Sequence, residues 1–201
     1  MLKLYDFLDS GNGYKVRLTL TQLGIPYELV EVDILTGGSR TPEFLAKNPN
    51  GRIPLLEFED GRRLAESNAI ICYLAEGTPL LPADPWLRAQ VLQWMFFEQY
   101  SHEPNIATAR FWVKHLQLDD LRRRMLEDKM KAGNAALGVM QRHLAGHAFF
   151  VDDRYSVADI ALFAYTHVAG EAGFDLAAYP AVQTWIARVR EQSGHKPITA
   201  R

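Results

Sequence analysis

Residues 5–16 read YDFLDSGNGYKV. The stretch leaves an apolar run, LKLYDF (residues 2–7), and enters an amphipathic one, YKVRLTLTQLG (residues 14–24), so it joins a strand to a helix closed near Gly24. Its centre, Asp9-Ser10-Gly11-Asn12-Gly13, is small, polar and flexible, more than a plain connection requires. Backbone N–H groups at a helix start have no intrahelical partner, and the helix dipole is positive there. A hydroxyl and an amide set between glycines at that point suggest that something outside the protein is held.

Downstream, the alternation of short apolar runs with helical ones continues. YELVEVD (27–33) alternates like a half-exposed strand, and TPEFLAKN (41–48) is a short helix with Thr41 as N-cap and Pro42 at its first position. IPLLEFEDGRRLAE (53–66) is a hairpin turning at Asp60-Gly61. SNAIICYLAE (67–76) returns to helix, with Ile70, Ile71 and Leu74 at core-facing spacing. The order β-α-β-α-β-β-α predicts a mixed sheet with helices packed on it.

GTPLLPADP (77–85) reads as a linker, and beyond it strand signals disappear. Helical patterns cover Trp86 to about Val113, where Pro104 should bend or break the helix, and Asp119 to about Leu144. Two more follow in RYSVADIALFAYTHVAG (154–170) and AYPAVQTWIARVREQ (178–192). The predicted organisation is an α/β domain over 1–76, a linker over 77–85 and an all-helical domain over 86–201.

The chain has 201 residues, 48% of them hydrophobic, which suits a folded globular protein. A formal net charge of −2 gives no electrostatic reason to expect nucleic acid or an anionic membrane as partner. No apolar run approaches the roughly 18 residues that span a bilayer, and MLKLYDF lacks the apolar segment of a secretory signal. Cys72 is the only cysteine, so an intramolecular disulfide is impossible and a reducing cytoplasm is the expected location.

Several short motifs carry chemistry. Ile53-Pro54 directly precedes a strand; it reads as an ordinary trans proline or as a cis bond that turns the Ile53 backbone toward a ligand. Glu66-Ser67 opens a helix, where unpaired N–H groups and a hydroxyl can hold a carboxylate, or where Ser67 is simply a cap. His143 and His147 are four apart, as zinc ligands on a helix are, but Gly146 falls between them and histidines suit a helix C-terminus, so no metal is expected. Arg122–Arg124 reads as a solvated helix face.

Taken together, the strand–SGN–helix opening, the Ile-Pro before a strand, the Glu-Ser opening a helix, the proline linker and the all-α half resemble the glutathione S-transferase superfamily over essentially the whole chain. SVADIALF (156–163) adds that superfamily's helix-capping box, with Ser156 and Asp159.

The resemblance implies a thioredoxin-like N-terminal domain that binds glutathione as co-substrate. Ile53, before Pro54, would pair through its backbone with the cysteinyl part. Glu66 and Ser67 would hold the γ-glutamyl end, and Arg40 and Arg52 are candidates for the glycyl carboxylate. The sulfur would sit near Ser10. A free thiol has a pKa of about 8.5, and a hydroxyl donor plus the positive end of a helix favour its thiolate. Tyr5 lies on the first strand, where tyrosine-type classes often carry their catalytic residue. SGNGYKVRL looks more like the serine-type theta and zeta enzymes, with Ser10 activating, and equally like the Nu class and the yeast nitrogen regulator of this fold, through Asn12-Gly13 and Lys15-Val16. With no cysteine in the stretch, the omega and beta mechanism is excluded, and Cys72 reads as a small buried hydrophobe.

The second substrate would lie against the helical domain near Tyr100, Arg110 and Phe111. Arg110 there either meets an anionic group or is a solvated surface arginine. The resemblance thus implies a cytoplasmic, homodimeric transferase using the glutathione thiolate on an electrophilic small molecule, as in detoxification. The alternatives are Nu-like disulfide or peroxide reduction and a non-catalytic binding module, which usually comes attached to another domain.

Overall fold

The computed structural model describes residues 1–200 and divides the chain into two compact units. The first contains residues 1–78 and the tail from Ser193, and the second runs from Pro79 to Gln192.

In the first unit, four strands form a mixed sheet in the order β2-β1-β3-β4. They are β1 (Leu2–Asp6), β2 (Tyr27–Glu31), β3 (Leu55–Glu57) and β4 (Arg63–Ala65). β1 runs parallel to β2 with Leu4 opposite Leu29, and antiparallel to β3 with Leu4 opposite Leu56. β3 and β4 form the hairpin, turned by Gly61 at φ 83°. Three helices complete the thioredoxin-like unit: α1 (Gly11–Gln22), α2 (Pro42–Leu45) and α3 (Ser67–Ala75). Thr41 caps α2 by accepting from Phe44 N–H, with Pro42 behind it. The core joins Leu4 and Leu56 of the sheet to Leu20 of α1 and Ile70 and Ile71 of α3, all at 0% exposure. Leu74 and Cys72 are only half-buried, so Cys72 is not the buried filler expected of it.

α1 begins at Gly11, inside the polar junction, and is buried continuously from Gly13 to Leu20. Part of its cover is the C-terminal tail: Tyr14 Oη donates to Lys196 O at 2.6 Å and Arg17 Nη1 to Ile198 O at 2.7 Å. The residues from 193 to 200 therefore belong with the α/β unit, and not with the helical half where the boundary 86–201 had put them. Without helical periodicity of its own, this segment is ordered by carbonyls that meet buried donors.

The second unit holds α4 (Pro85–Phe97), α5 (Glu103–His115), α6 (Asp120–Leu144), α7 (Val157–Thr166) and α8 (Pro180–Arg190). Asp84 and Asp119 cap α4 and α6 through their side chains. Pro104 does not break the chain's helical course. A π turn, Glu98–His102, links α4 to α5 and absorbs the proline's missing N–H. All ten residues of α7 are buried, with the Phe163 ring against Trp185 and Asp159 accepting from Phe150 N–H. Gly133 on α6 permits close packing, since a Cβ there would stand 2.6 Å from the Phe174 ring. Among the described residues no helix is long and apolar enough to cross a membrane.

Candidate functional site

The polar junction folds as a capped helix start. Ser10 has extended geometry (φ −77°, ψ 125°), its backbone N–H donates to Phe7 O at 2.8 Å, and its Oγ accepts from Gly13 N–H at 3.4 Å. That bond uses a lone pair of the hydroxyl and leaves its proton available. The side chain is half-exposed and the first turn of α1, Gly11-Asn12-Gly13, contains no acid. An anion at this end therefore meets the helix dipole and a hydroxyl donor together. Gly13 is required by its neighbour: a Cβ there would fall 1.6 Å from Asp6 Oδ1.

A hydrogen-bonded bridge ties this turn to the start of α3. Ser67 Oγ donates to Asn12 Oδ1 at 3.3 Å, while Lys15 Nζ donates to Ser67 Oγ at 3.4 Å and to Asn68 Oδ1 at 3.2 Å. Lys15 is wholly buried, an unusual place for an ammonium group. Immediately before Ser67, Glu66 is exposed and held at φ 67°, ψ 111°. A non-glycine residue in that region is strained, and strain of this kind gathers at ligand sites.

The Ile53-Pro54 bond is cis. Ile53 is half-buried and stands outside the ladder, which begins at Leu55. The loop before it is held by Asn48 Nδ2 donating to Arg52 O at 2.8 Å and by Arg40 Nη1 donating to Asn50 O at 2.9 Å. Arg40 and Arg52 are both exposed. The sequence candidates Ser10, Asn12, Arg40, Arg52, Ile53, Pro54, Glu66 and Ser67 all lie in the first unit.

Tyr5 has a different job. Its Oη donates to Glu57 Oε1 at 3.3 Å, and Lys47 Nζ lies 5.1 Å from its ring centroid. Glu57 also accepts from Arg63 at 2.6 Å and Lys47 at 3.1 Å, and these bonds, Arg63's first, hold its carboxyl below the usual range. The Tyr5 hydroxyl belongs to this cluster, whose remaining members the sequence leaves 42 or more residues away along the chain.

The three second-substrate candidates do not share an environment. Tyr100 sits in the π turn at 88% exposure, whereas Arg110 is 4% exposed. Arg110 is neither a solvated surface arginine nor open to a ligand anion along its Glu171 side: Nε and Nη2 reach Glu171 Oε2 at 2.9 and 2.8 Å. Phe111 is half-buried, with its ring 5.2 Å from that of His115. His143 stacks on His147 at 4.5 Å and on Phe150 at 5.6 Å, and burial lowers its pKa.

Residues 4–82 match the family described as glutathione S-transferase, N-terminal domain, and residues 97–193 match glutathione S-transferase, C-terminal domain. The chain belongs to the glutathione S-transferase family. Among solved structures, a glutathione S-transferase from Pseudomonas fluorescens is similar at a TM-score of 0.97 and 53% identity, covering 99% of both chains. A glutathione transferase from Pseudomonas putida with one glutathione disulfide bound per subunit is similar at a TM-score of 0.85 and 30% identity, over 96% of this chain and 88% of that one. Maleylacetoacetate isomerase of Rhizobium meliloti is 38% identical over 88% of this chain and 85% of its own. Disulfide-bond oxidoreductase YfcG of Escherichia coli is 31% identical over 96% of this chain and 91% of its own.

Four residues around α1 escaped the sequence reading as participants: Asp6, Lys15, Arg17 and Asn68. The available signal was two cations, Lys15 and Arg17, within a helix whose other residues from Tyr14 to Leu20 are uncharged. Both cations are buried, at 0% and 3% exposure.

Proposed function

We propose that this protein is a glutathione transferase that holds glutathione on its first unit and activates the thiolate for attack on an electrophilic small molecule. The observation that carries the reading is the cap of α1, where the Ser10 hydroxyl accepts from Gly13 N–H and keeps its own proton to donate, at a helix start with no acid in its first turn. Ser10 donates to the sulfur and Asn12 supports it through Ser67. The Ile53 backbone, next to Pro54, takes the cysteinyl portion, and Glu66 and Ser67 take the γ-glutamyl end. Arg52, exposed on the preceding loop, and Arg40, exposed ahead of α2, are there for the glycyl carboxylate. Similarity to a structure holding glutathione disulfide supports glutathione as the ligand.

A second reading, glutathione-dependent disulfide or peroxide reduction, draws support from Asn12 being fastened to Ser67 and from the relative named as a disulfide-bond oxidoreductase. Steady-state assays with an aryl halide, a hydroperoxide and a glutathione mixed disulfide separate the two. Conjugation that falls at least tenfold in Ser10→Ala is the expected result. Turnover of only the peroxide or disulfide would transfer the assignment to reduction, and no turnover of any substrate would favour a binding module.

A further inference from the structure

Asp6 ends β1 and is wholly buried. Its Oδ2 accepts from Arg17 Nε at 2.9 Å, but Oδ1 is buried with no hydrogen-bond partner. This orphan oxygen points into the first turn of α1, where a Cβ on Gly13 would stand 1.6 Å from it. Gly13 N–H is also the donor that Ser10 Oγ accepts. A single residue thus separates a buried carboxyl from the hydroxyl at the open cap.

Two negative charges at one helix end compete for the same dipole and repel each other. An ionised carboxylate with a bare buried oxygen is also poorly solvated. The charged and titratable groups facing Asp6 are Arg17 from α1 and Glu31 and Tyr27 from β2. Burial pushes the Asp6 carboxyl up to about 7 against the opposing pull of Arg17 and, more weakly, of the Phe7 backbone, with a smaller upward push from Glu31. Arg17 is fixed in turn: Nη2 donates to Leu8 O at 2.6 Å and Nη1 to Ile198 O at 2.7 Å and Ala200 O at 3.1 Å. Through Leu8 it also pins the loop that delivers Ser10.

We propose that Asp6 and a thiol held at the N-terminus of α1 are a coupled acid pair, so that the thiol loses its proton as Asp6 Oδ1 gains one. The inference rests on glutathione binding there as described above. The S–H bond breaks, the proton is exchanged through solvent to an O–H bond on Asp6, and no electrons change hands. Asp6 is a positioning residue that sets charge at the site without touching the sulfur.

The test uses wild-type protein with carboxyl-labelled aspartate, titrated by ¹³C NMR when saturated with glutathione or with S-methylglutathione, whose sulfur carries no proton. Asp6 is assigned by the resonance missing from Asp6→Asn or, if that variant does not fold, by backbone connectivity. The expected result is an Asp6 midpoint roughly one pH unit higher with glutathione, the scale of interaction that couples two titrations. Equal midpoints with both ligands bound overturn the coupling and leave the glutathione site standing. Failure of both ligands to move any resonance overturns the two together.

Discussion

Two helices of this protein have a serine as N-cap, and the two caps differ. At α7, Ser156 is 2% exposed and Asp159 closes a complete capping box. Asp159 Oδ2 accepts from Ser156 N–H at 2.9 Å and Ser156 Oγ at 3.1 Å, and Oδ1 from Phe150 N–H at 3.2 Å and Trp185 Nε1 at 2.9 Å. At α1, Ser10 is half-exposed, its hydroxyl makes one long 3.4 Å bond, and no acid in the turn answers it. The same residue type at the same helical position serves folding where its partners are supplied internally. Where they are withheld, it leaves a donor and a dipole facing outward.

The largest expected effect tests the closed cap. Asp159→Ala strands several buried donors and should destabilise the protein by about 3 kcal/mol or more in urea denaturation. A loss under 1 kcal/mol would mean the box is not what holds α7. The same carboxylate makes a pH prediction. Burial raises Asp159 from 3.8 to about 6, so the folded state keeps a proton that the unfolded chain has released. The advantage of wild type over Asp159→Asn is therefore complete below about 3.8 and declines as pH rises through about 6. A constant advantage across that window contradicts the assignment.

Next is Gly13→Ala, which drives a methyl into Asp6 and should cost about 2 kcal/mol or more by displacing the carboxyl or the first turn of α1. Its melting temperature would fall together with glutathione affinity; unchanged stability would show that the contact with Asp6 yields easily. Glu66→Gly works in the opposite sense. Removing a side chain from a φ of 67° should raise stability by about 1 kcal/mol while weakening glutathione binding in calorimetry. A variant that gains neither stability nor loses affinity would remove the functional meaning of the strain. The smallest change in stability belongs to Ser10→Ala, about 0.5 kcal/mol, since a long exposed cap bond contributes little to folding. A loss comparable to that of Asp159→Ala would erase the contrast between the two caps.

The β-α-β-α-β-β-α order was legible because alternation of period two and helical spacing are local properties, as in YELVEVD and SNAIICYLAE. Caps were legible for the same reason, with Thr41-Pro42 and Ser156-Asp159 each within one turn. Pro104 marked a real interruption, since α4 gives way to a π turn just ahead of it, but the sequence did not show that the turn lets a helical course continue through the change in register. What lay beyond reach depends on long-range pairing. Lys15 would ordinarily be read as solvated, yet its acceptors are on Ser67 and Asn68. The Tyr5 hydroxyl is claimed by Glu57, and the tail joins the α/β unit through Tyr14 and Arg17. The junction at residues 9–13 stood out as a polar helix start, but Asp6 beneath it did not, because nothing in LKLYDF distinguishes a buried acid from an exposed one.

The central claim, that the open cap of α1 activates a thiol, is met most directly by titrating the ultraviolet thiolate absorbance of glutathione bound to wild type and to Ser10→Ala. The account predicts a wild-type midpoint well below the roughly 8.5 of a free thiol, and a rise of about one unit or more in the variant. An unshifted midpoint in the wild type, or a depressed one that survives the loss of the hydroxyl, would contradict it.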